Sequence, residues 1–311
     1  MAISVLITDD LHPFFKQKMD EAGVHYDDMP QAQQDGVRAI IQDYEAVIIN
    51  SKITMDRDML DRAEKLQFIG RAGSGMEIID TEYADRKGIH YTNSPEGNRD
   101  AVGEHTVGLM LDLLHNITKA DDEVRQGLWN RELNRGAELR EMTVGILGYG
   151  QMGSAVAEKL YGLGPRVIAY DKYKQNFSNL FVQEVDQQQF YEQTQMLSIH
   201  LPLTEETCWL VDQAYLDRFP NLQYVLNTAR GKNLVTSDLL EKLKQEALDG
   251  AALDVVKDEN PGNFSKKFAH DFNNLKKINK LVVTPHIAGW SNESKQKIAE
   301  LLALRLLTVL F

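Results

Sequence analysis

Residues 143–171, TVGILGYGQMGSAVAEKLYGLGPRVIAYD, leave the chain few ways to fold. An apolar run (Val144, Ile146, Leu147) leads into Gly148-Tyr149-Gly150-Gln151-Met152-Gly153, and Ala155, Val156, Leu160 and Leu163 follow at helical core spacing. A second apolar run, 167–170, ends on Asp171. Strand, glycine turn, helix, strand and terminal acid in this register are the context in which a glycine-rich turn holds a dinucleotide. Gly148 permits the tight turn, Gly150 lets a pyrophosphate approach the backbone, and Gly153 lets helix and strand pack closely. Gln151 and Met152 open the helix, whose N-terminal N–H groups and partial positive charge suit phosphates. Asp171, 18 residues beyond Gly153, stands where a carboxylate accepts from the adenosine ribose and repels a 2′-phosphate. NAD is therefore expected over NADP. The alternative is a glycine-rich turn in some other βα unit.

At 311 residues the chain is long enough for two domains with separate cores. Its net charge of −12 repels nucleic acid and anionic membranes, so neither is an expected partner. An anionic substrate must then be met by local basic residues that override the overall field. The single cysteine, Cys208, excludes an intramolecular disulfide and suits a reducing cytoplasm. No signal peptide is visible, and the most apolar stretch, 301–311, is interrupted by Arg305 and too short to span a bilayer.

Over residues 1–93, apolar strands (4–8, 46–49, 68–69, 89–92) alternate with helical segments (14–22, 33–43, 56–63, 80–87), which implies a parallel sheet covered on both faces. This half lacks the glycine fingerprint but contains Arg71-Ala72-Gly73-Ser74-Gly75, a small-residue turn whose N–H groups can clasp a carboxylate. Residues 93–98, NSPEGN, read as an interdomain crossing, and a helix is expected over about 100–119. Residues 120–142 read as a polar, irregular excursion that packs on a neighbour. From Thr143 a second parallel sheet is expected from strands at 143–147, 167–170, 197–200, 224–226, 251–253 and 281–283, with Thr236 or Ser237 capping a helix to 247. A last helix from about Ser294 is expected to return to the first domain. The expected fold is thus α/β, with two doubly wound parallel-sheet domains: residues 1–93 plus 290–311, and residues 94–289.

Three features lie at strand ends of the second domain, where ligands bind in open α/β sheets. Arg230, in Asn227-Thr228-Ala229-Arg230-Gly231, is placed to grip a carboxylate with two parallel hydrogen bonds. Asp254 and Glu259 follow the strand ending at Leu253, and His286 follows Thr284-Pro285. Singly, each has a plain reading: a surface charge, a loop acid, a turn histidine satisfied by backbone. Together they form a set for hydride transfer to a 2-oxo acid. The imidazole exchanges the hydroxyl proton, a carboxylate on its far nitrogen fixes the tautomer, and the guanidinium holds the substrate carboxylate. No metal is expected.

These motifs, with GRAGSGMEIID (70–80), NSPEGN (93–98), SIHLPLTEET (198–207), NTARG, ALDV and TPHIAG, resemble the NAD-dependent D-isomer-specific 2-hydroxy-acid dehydrogenases over nearly the whole chain. The resemblance implies Arg230, Glu259 and His286 as the catalytic set, and Ser74 and Gly75 as further carboxylate-binding residues. It implies Asp254 and Thr228 at the nicotinamide carboxamide, with Gly289 nearby, and His200, Leu201 and Pro202 beside the adenosine. It further implies a flavodoxin-like substrate domain, a Rossmann domain, a cleft that closes over the substrate, and a homodimer joined through the 100–119 helix and the arm after it.

Within that family the chain looks most like the D-3-phosphoglycerate dehydrogenase branch, because Arg71 and Arg131 match positions where basic residues lie near a phosphate-bearing substrate. Lys52 stands where that branch often has arginine, the segment after Arg230-Gly231 is longer than usual, and Asn260 separates Glu259 from Pro261. Feedback through a regulatory domain beyond residue 311 is not expected. Glycerate or glyoxylate is the alternative substrate, and a dinucleotide-sensing corepressor is the rival of another class.

Overall fold

The apolar runs assemble into two parallel sheets. The computed structural model describes residues 3–257, 259 and 280–310, so Asp258, Asn260 and Pro261 of the acid-bearing loop lie outside the described residues. The chain divides into Met1–Arg99 with Trp290–Phe311, and Asp100–Gly289.

In the first unit, β1 (Ser4–Ile7), β2 (His25–Asp28), β3 (Ala46–Ile49), β4 (Phe68–Arg71) and β5 (His90–Thr92) pair in the order β2-β1-β3-β4-β5, all parallel. This is the flavodoxin-like order. The four residues of β3, AVII, are all buried because helices cover both faces. Asp56 and Asp80 cap two of those helices, accepting from Met59 N–H and Tyr83 N–H. The C-terminal helix, Asn292–Leu310, closes one face by burying Leu302 and Leu306 against Val5, Ile7 and Phe15. Each of those leucines contributes roughly 2 kcal/mol by leaving water.

In the second unit, β6 (Thr143–Leu147), β7 (Arg166–Tyr170), β8 (Gln183–Glu184), β9 (Met196–Ile199), β10 (Tyr224–Asn227), β11 (Gly250–Leu253) and β12 (Leu281–Val283) form a parallel sheet ordered β12-β11-β10-β9-β6-β7-β8. The chain winds outward from β6 in both directions, so a crevice opens between the C-terminal ends of β6 and β9. Two apolar clusters lie against this sheet, one built around Phe190 and Leu197, the other around Val144 and Leu160.

Several local expectations need correction. Residues 95–98 are not a crossing loop: the helix Pro95–His115 begins there, with proline at the position where a missing N–H costs nothing. That start carries the first unit past residue 93 to Arg99, with Gly97 seated tightly on Ile298. The helix ends before 119 because Asn116 adopts φ 53, and a second helix, Ile117–Arg125, takes the first residues of the segment expected to be irregular; the rest of that segment holds two short 3-10 turns, Glu132–Asn134 and Leu139–Glu141. Neither Thr236 nor Ser237 is an N-cap: Val235 occupies that position and Thr236 is already helical. The strands β2 and β8 escape a search for apolar runs because both are short, polar edge strands. Among the described residues no helix is long and apolar enough to cross a membrane.

Candidate active site

The glycine turn sits at the crevice between β6 and β9. Gly148 has φ +89, and a Cβ there would lie 2.8 Å from the carbonyl oxygen of His200, which directly follows β9. A Cβ on Gly153 would lie 2.2 Å from the Gly148 carbonyl oxygen, so the helix Gln151–Leu160 reaches the turn only because residue 153 has no side chain. Gly150 is different: a Cβ there would meet nothing within 4 Å. The protein's own packing does not require glycine at 150, whereas a close-lying ligand does. Gly150 caps the helix without a side-chain bond, and the first-turn N–H groups at Gln151, Met152 and Gly153 have no intrahelical carbonyl to meet. This chain therefore fits a pyrophosphate at that turn.

Asp171 follows β7 directly, and its carboxylate is tied to the glycine turn. Its Oδ2 accepts from Tyr149 N–H at 2.8 Å, and its Oδ1 from Tyr173 N–H and Lys174 N–H at 3.0 Å each. Burial pushes its carboxyl up, but those three N–H groups and the nearby Lys174 ammonium outweigh this and hold it below the usual range. The carboxylate thus fixes the glycine turn while keeping acceptor capacity on Oδ2. Tyr149 is buried and stacks on Phe177 at 4.5 Å, with Lys174 Nζ 5.1 Å from its ring centre. Across the crevice, His200 is buried with Nε2 2.8 Å from Ser198 Oγ, and burial drives its pKa down to about 4, so the ring is neutral. Leu201 and Pro202 continue from it, and the Pro202 carbonyl accepts from Thr207 Oγ1 and Asn233 Nδ2.

Arg230 is carried on a turn that Asn227 ties at both ends. The Asn227 amide donates to the Arg230 carbonyl at 2.9 Å and accepts from Ala229 N–H at 3.0 Å. Arg230 is half-buried, and its Nη1 donates to the Ala229 carbonyl at 2.8 Å. Thr228 is buried, its hydroxyl 3.0 Å from that of Thr106.

His286 lies in a turn held from below by Asp254. The Asp254 carboxylate, 1% exposed, accepts from Thr284 Oγ1 at 2.6 Å and Ile287 N–H at 2.9 Å on Oδ1, and from Ala288 N–H at 2.8 Å on Oδ2. His286 N–H donates to the Asp254 carbonyl at 2.8 Å. These bonds hold His286 at φ 56, a left-handed conformation that a histidine keeps only when its surroundings impose it. His286 Nδ1 is 2.7 Å from Glu259 Oε2. A carboxylate only accepts, so Nδ1 carries hydrogen and Nε2 is left to exchange a proton with a substrate. Gly289 follows directly. Among the described residues no group of three or more histidine, cysteine or acidic side chains is arranged for a metal.

Residues 107–288 match the model of the D-isomer specific 2-hydroxyacid dehydrogenase NAD binding domain, which is more than half of the chain. The chain belongs to that family. Among relatives of this D-2-hydroxyacid dehydrogenase family member, a D-3-phosphoglycerate dehydrogenase of Archaeoglobus fulgidus is 33% identical over 84% of this chain and 48% of its own. A glyoxylate reductase of Thermofilum pendens is 33% identical over 91% of this chain and 83% of its own. The chain thus spans about half the length of the phosphoglycerate dehydrogenases it matches. The TT0316 protein of Thermus thermophilus superposes with a TM-score of 0.85 at 26% identity, covering 99% of this chain and 97% of that one.

In this dehydrogenase-family chain the first unit's candidate residues are Arg71 at the end of β4, Ser74 and Gly75 on the loop after it, and Lys52 after β3. Gly73 has φ +152, and the space a Cβ would take there is filled by the Arg71 guanidinium. Ser74 Oγ donates to Asn98 Oδ1 at 2.7 Å, and the Ser74 carbonyl accepts from Asn93 Nδ2, so the NSPEGN segment shapes the loop that leads into Gly75. Lys52 donates to the Pro30 carbonyl and lies 3.8 Å from Asp9. Arg131 lies beside the exposed Trp129 on the arm after the Ile117–Arg125 helix. Two residues that shape the site escaped the sequence reading: Asn227, which ties the Arg230 turn, and Thr284, which donates to Asp254. Asn227 stands inside the quoted NTARG motif, and Thr284 inside TPHIAG.

Proposed function

We propose that the protein interconverts a small D-2-hydroxy acid and its 2-oxo acid. When bound, NAD accepts or supplies a hydride at C4 of its nicotinamide ring. His286 Nε2 takes the hydroxyl proton during oxidation and returns it during reduction. Glu259 holds Nδ1–H and stabilises the imidazolium that forms. Arg230 grips the substrate carboxylate through its planar fork and polarises the neighbouring carbonyl. Gly148, Gly150, Gln151, Met152 and Gly153 hold the pyrophosphate, and Asp171 the ribose. His200, Leu201 and Pro202 lie beside the adenosine; Thr228, Asp254 and Gly289 serve the nicotinamide. On the first unit, Arg71, Ser74, Gly75 and Lys52 are assigned to substrate, as is Arg131 on the second. The observation that carries this reading is the 2.7 Å bond between His286 Nδ1 and Glu259, made by a histidine held in a left-handed turn.

The substrate we favour is 3-phosphoglycerate, on the basic residues Arg71 and Arg131 and on the phosphoglycerate dehydrogenase relatives. A glyoxylate-type reductase is the second reading, favoured by a relative matched over 83% of its length. The exposed Ile117, Val124, Leu128, Trp129 and Leu133 on and after the second helix fit a second copy of the chain, giving a homodimer. A reducing cytoplasm suits the lone Cys208. The test is NADH oxidation with 3-phosphohydroxypyruvate, hydroxypyruvate, glyoxylate and pyruvate. Turnover on one of them, reduced about 10²-fold or more by His286→Ala and by Arg230→Ala, supports the reading. NADH binding without turnover on any of them refutes it in favour of a dinucleotide sensor.

A further inference from the structure

Thr284 Oγ1 has a single proton, and its 2.6 Å contact with Asp254 Oδ1 commits that proton to the carboxylate. The same oxygen lies 3.2 Å from Nε2 of His105, on the Pro95–His115 helix. Thr284 must therefore accept in that contact, and His105 must donate, which fixes the ring with hydrogen on Nε2. The ring nitrogen is also 3.6 Å from Asp254 Oδ1. We propose that His105 is a positioning residue: its Nε2–H pins the Thr284 hydroxyl onto Asp254 and so fixes the carboxylate that holds the His286 turn.

The physical case rests on how few alternatives the buried carboxylate has. Three donors, Thr284 Oγ1, Ile287 N–H and Ala288 N–H, leave one acceptor direction on Oδ2. A threonine hydroxyl that loses its partner can rotate, and Oδ1 then loses its shortest bond, which is charge-assisted. A chain of donors ending on an anion polarises along its length, so the far imidazole strengthens the near contact. The residues joined in this way, His105, Thr284, Asp254 and His286, come from one helix and two strand ends of the same unit. This inference rests on the reading that Asp254 and His286 serve hydride transfer.

The test exploits which nitrogen each amide imitates. Glutamine at 105 puts an N–H₂ near the position of Nε2, whereas asparagine reaches only the position of Nδ1. His105→Leu and His105→Asn are expected to lower kcat about tenfold, the weight of one hydrogen bond to a charged network. They should also weaken NADH binding, read by fluorescence titration, while His105→Gln restores both to within about twofold. His105→Leu combined with Thr284→Val should be no worse than the worse single variant, since both break one link. Equal behaviour of the Asn and Gln variants, parental kcat and NADH affinity in His105→Leu, or additive losses in the double variant would each overturn the proposal. If the parent protein binds NADH but turns over nothing, the functional reading fails, and the NADH titration of the three variants still decides the role of His105.

Discussion

Alanine at Gly150 and alanine at Gly153 should do opposite things, although both glycines belong to one six-residue motif. At 153 the new Cβ would sit 2.2 Å from the Gly148 carbonyl oxygen and 3.0 Å from Ile146 Cγ2. The first contact is more than 1 Å too short for carbon and oxygen, and its partner is backbone that cannot rotate away. Overpacking of this kind costs about 1–3 kcal/mol, and better helix propensity returns at most about 1 kcal/mol. A net loss of about 1–2 kcal/mol lowers Tm by roughly 2–8 °C in a unit of this size. At 150 the Cβ meets nothing within 4 Å and the backbone, at φ −86, is open to any residue. Stability should therefore stay within about 0.5 kcal/mol of the parent. Yet that Cβ stands at the helix N-terminus where the pyrophosphate must approach. In thermal unfolding with NADH at about a hundred times its Kd, the parent gains about 2.7 kcal/mol, and Gly150→Ala should lose most of that gain. The reasoning is refuted if Gly150→Ala keeps the full NADH-induced shift, or if Gly153→Ala melts with the parent.

His200 binds protons more readily unfolded, at its ordinary 6.5, than folded, at about 4, so stability rises with pH across that window. Denaturant unfolding should show about 2 kcal/mol lost between pH 8 and pH 5, and His200→Asn should remove most of that slope. Asp171→Ala should relax the preference for NADH over NADPH in steady-state kinetics and, by freeing the Tyr149, Tyr173 and Lys174 N–H groups, lower Tm. Equal use of both cofactors by the parent would count against the role given to Asp171. Glu259→Gln keeps an acceptor for His286 Nδ1–H but removes the charge that stabilises the imidazolium. It should depress kcat about 10²-fold or more with little change in NADH affinity, and a parental kcat would exclude Glu259 from proton transfer.

Most of the framework was legible because its signals are local. Apolar runs such as AVII at 46–49 mark strands buried on both faces, and the fingerprint at 148–153 marks where one sheet binds its ligand. Where locality failed for strands, solvent was the cause. The strands His25–Asp28 and Gln183–Glu184 lie at sheet edges, pair on one side only, and so need no apolar alternation. The helix beginning at Pro95 was hidden because proline, glycine and asparagine serve a helix's first turn as readily as a loop.

By itself, the sequence determined two parallel α/β sheets, a dinucleotide turn, and a guanidinium, an acid and an imidazole at the ends of one sheet's strands. Tertiary structure alone decided which polar atoms meet. Thr284 finds Asp254 across 30 positions, and His105 finds Thr284 across 179. Such contacts follow from strand register and from where a helix crosses a sheet, and neither leaves a periodic trace in the chain. A carboxylate buried among donors from the end of a neighbouring strand is set by that long-range geometry, which is why Asp254 reads in sequence as a ligand contact and in the structure as the anchor of the His286 turn.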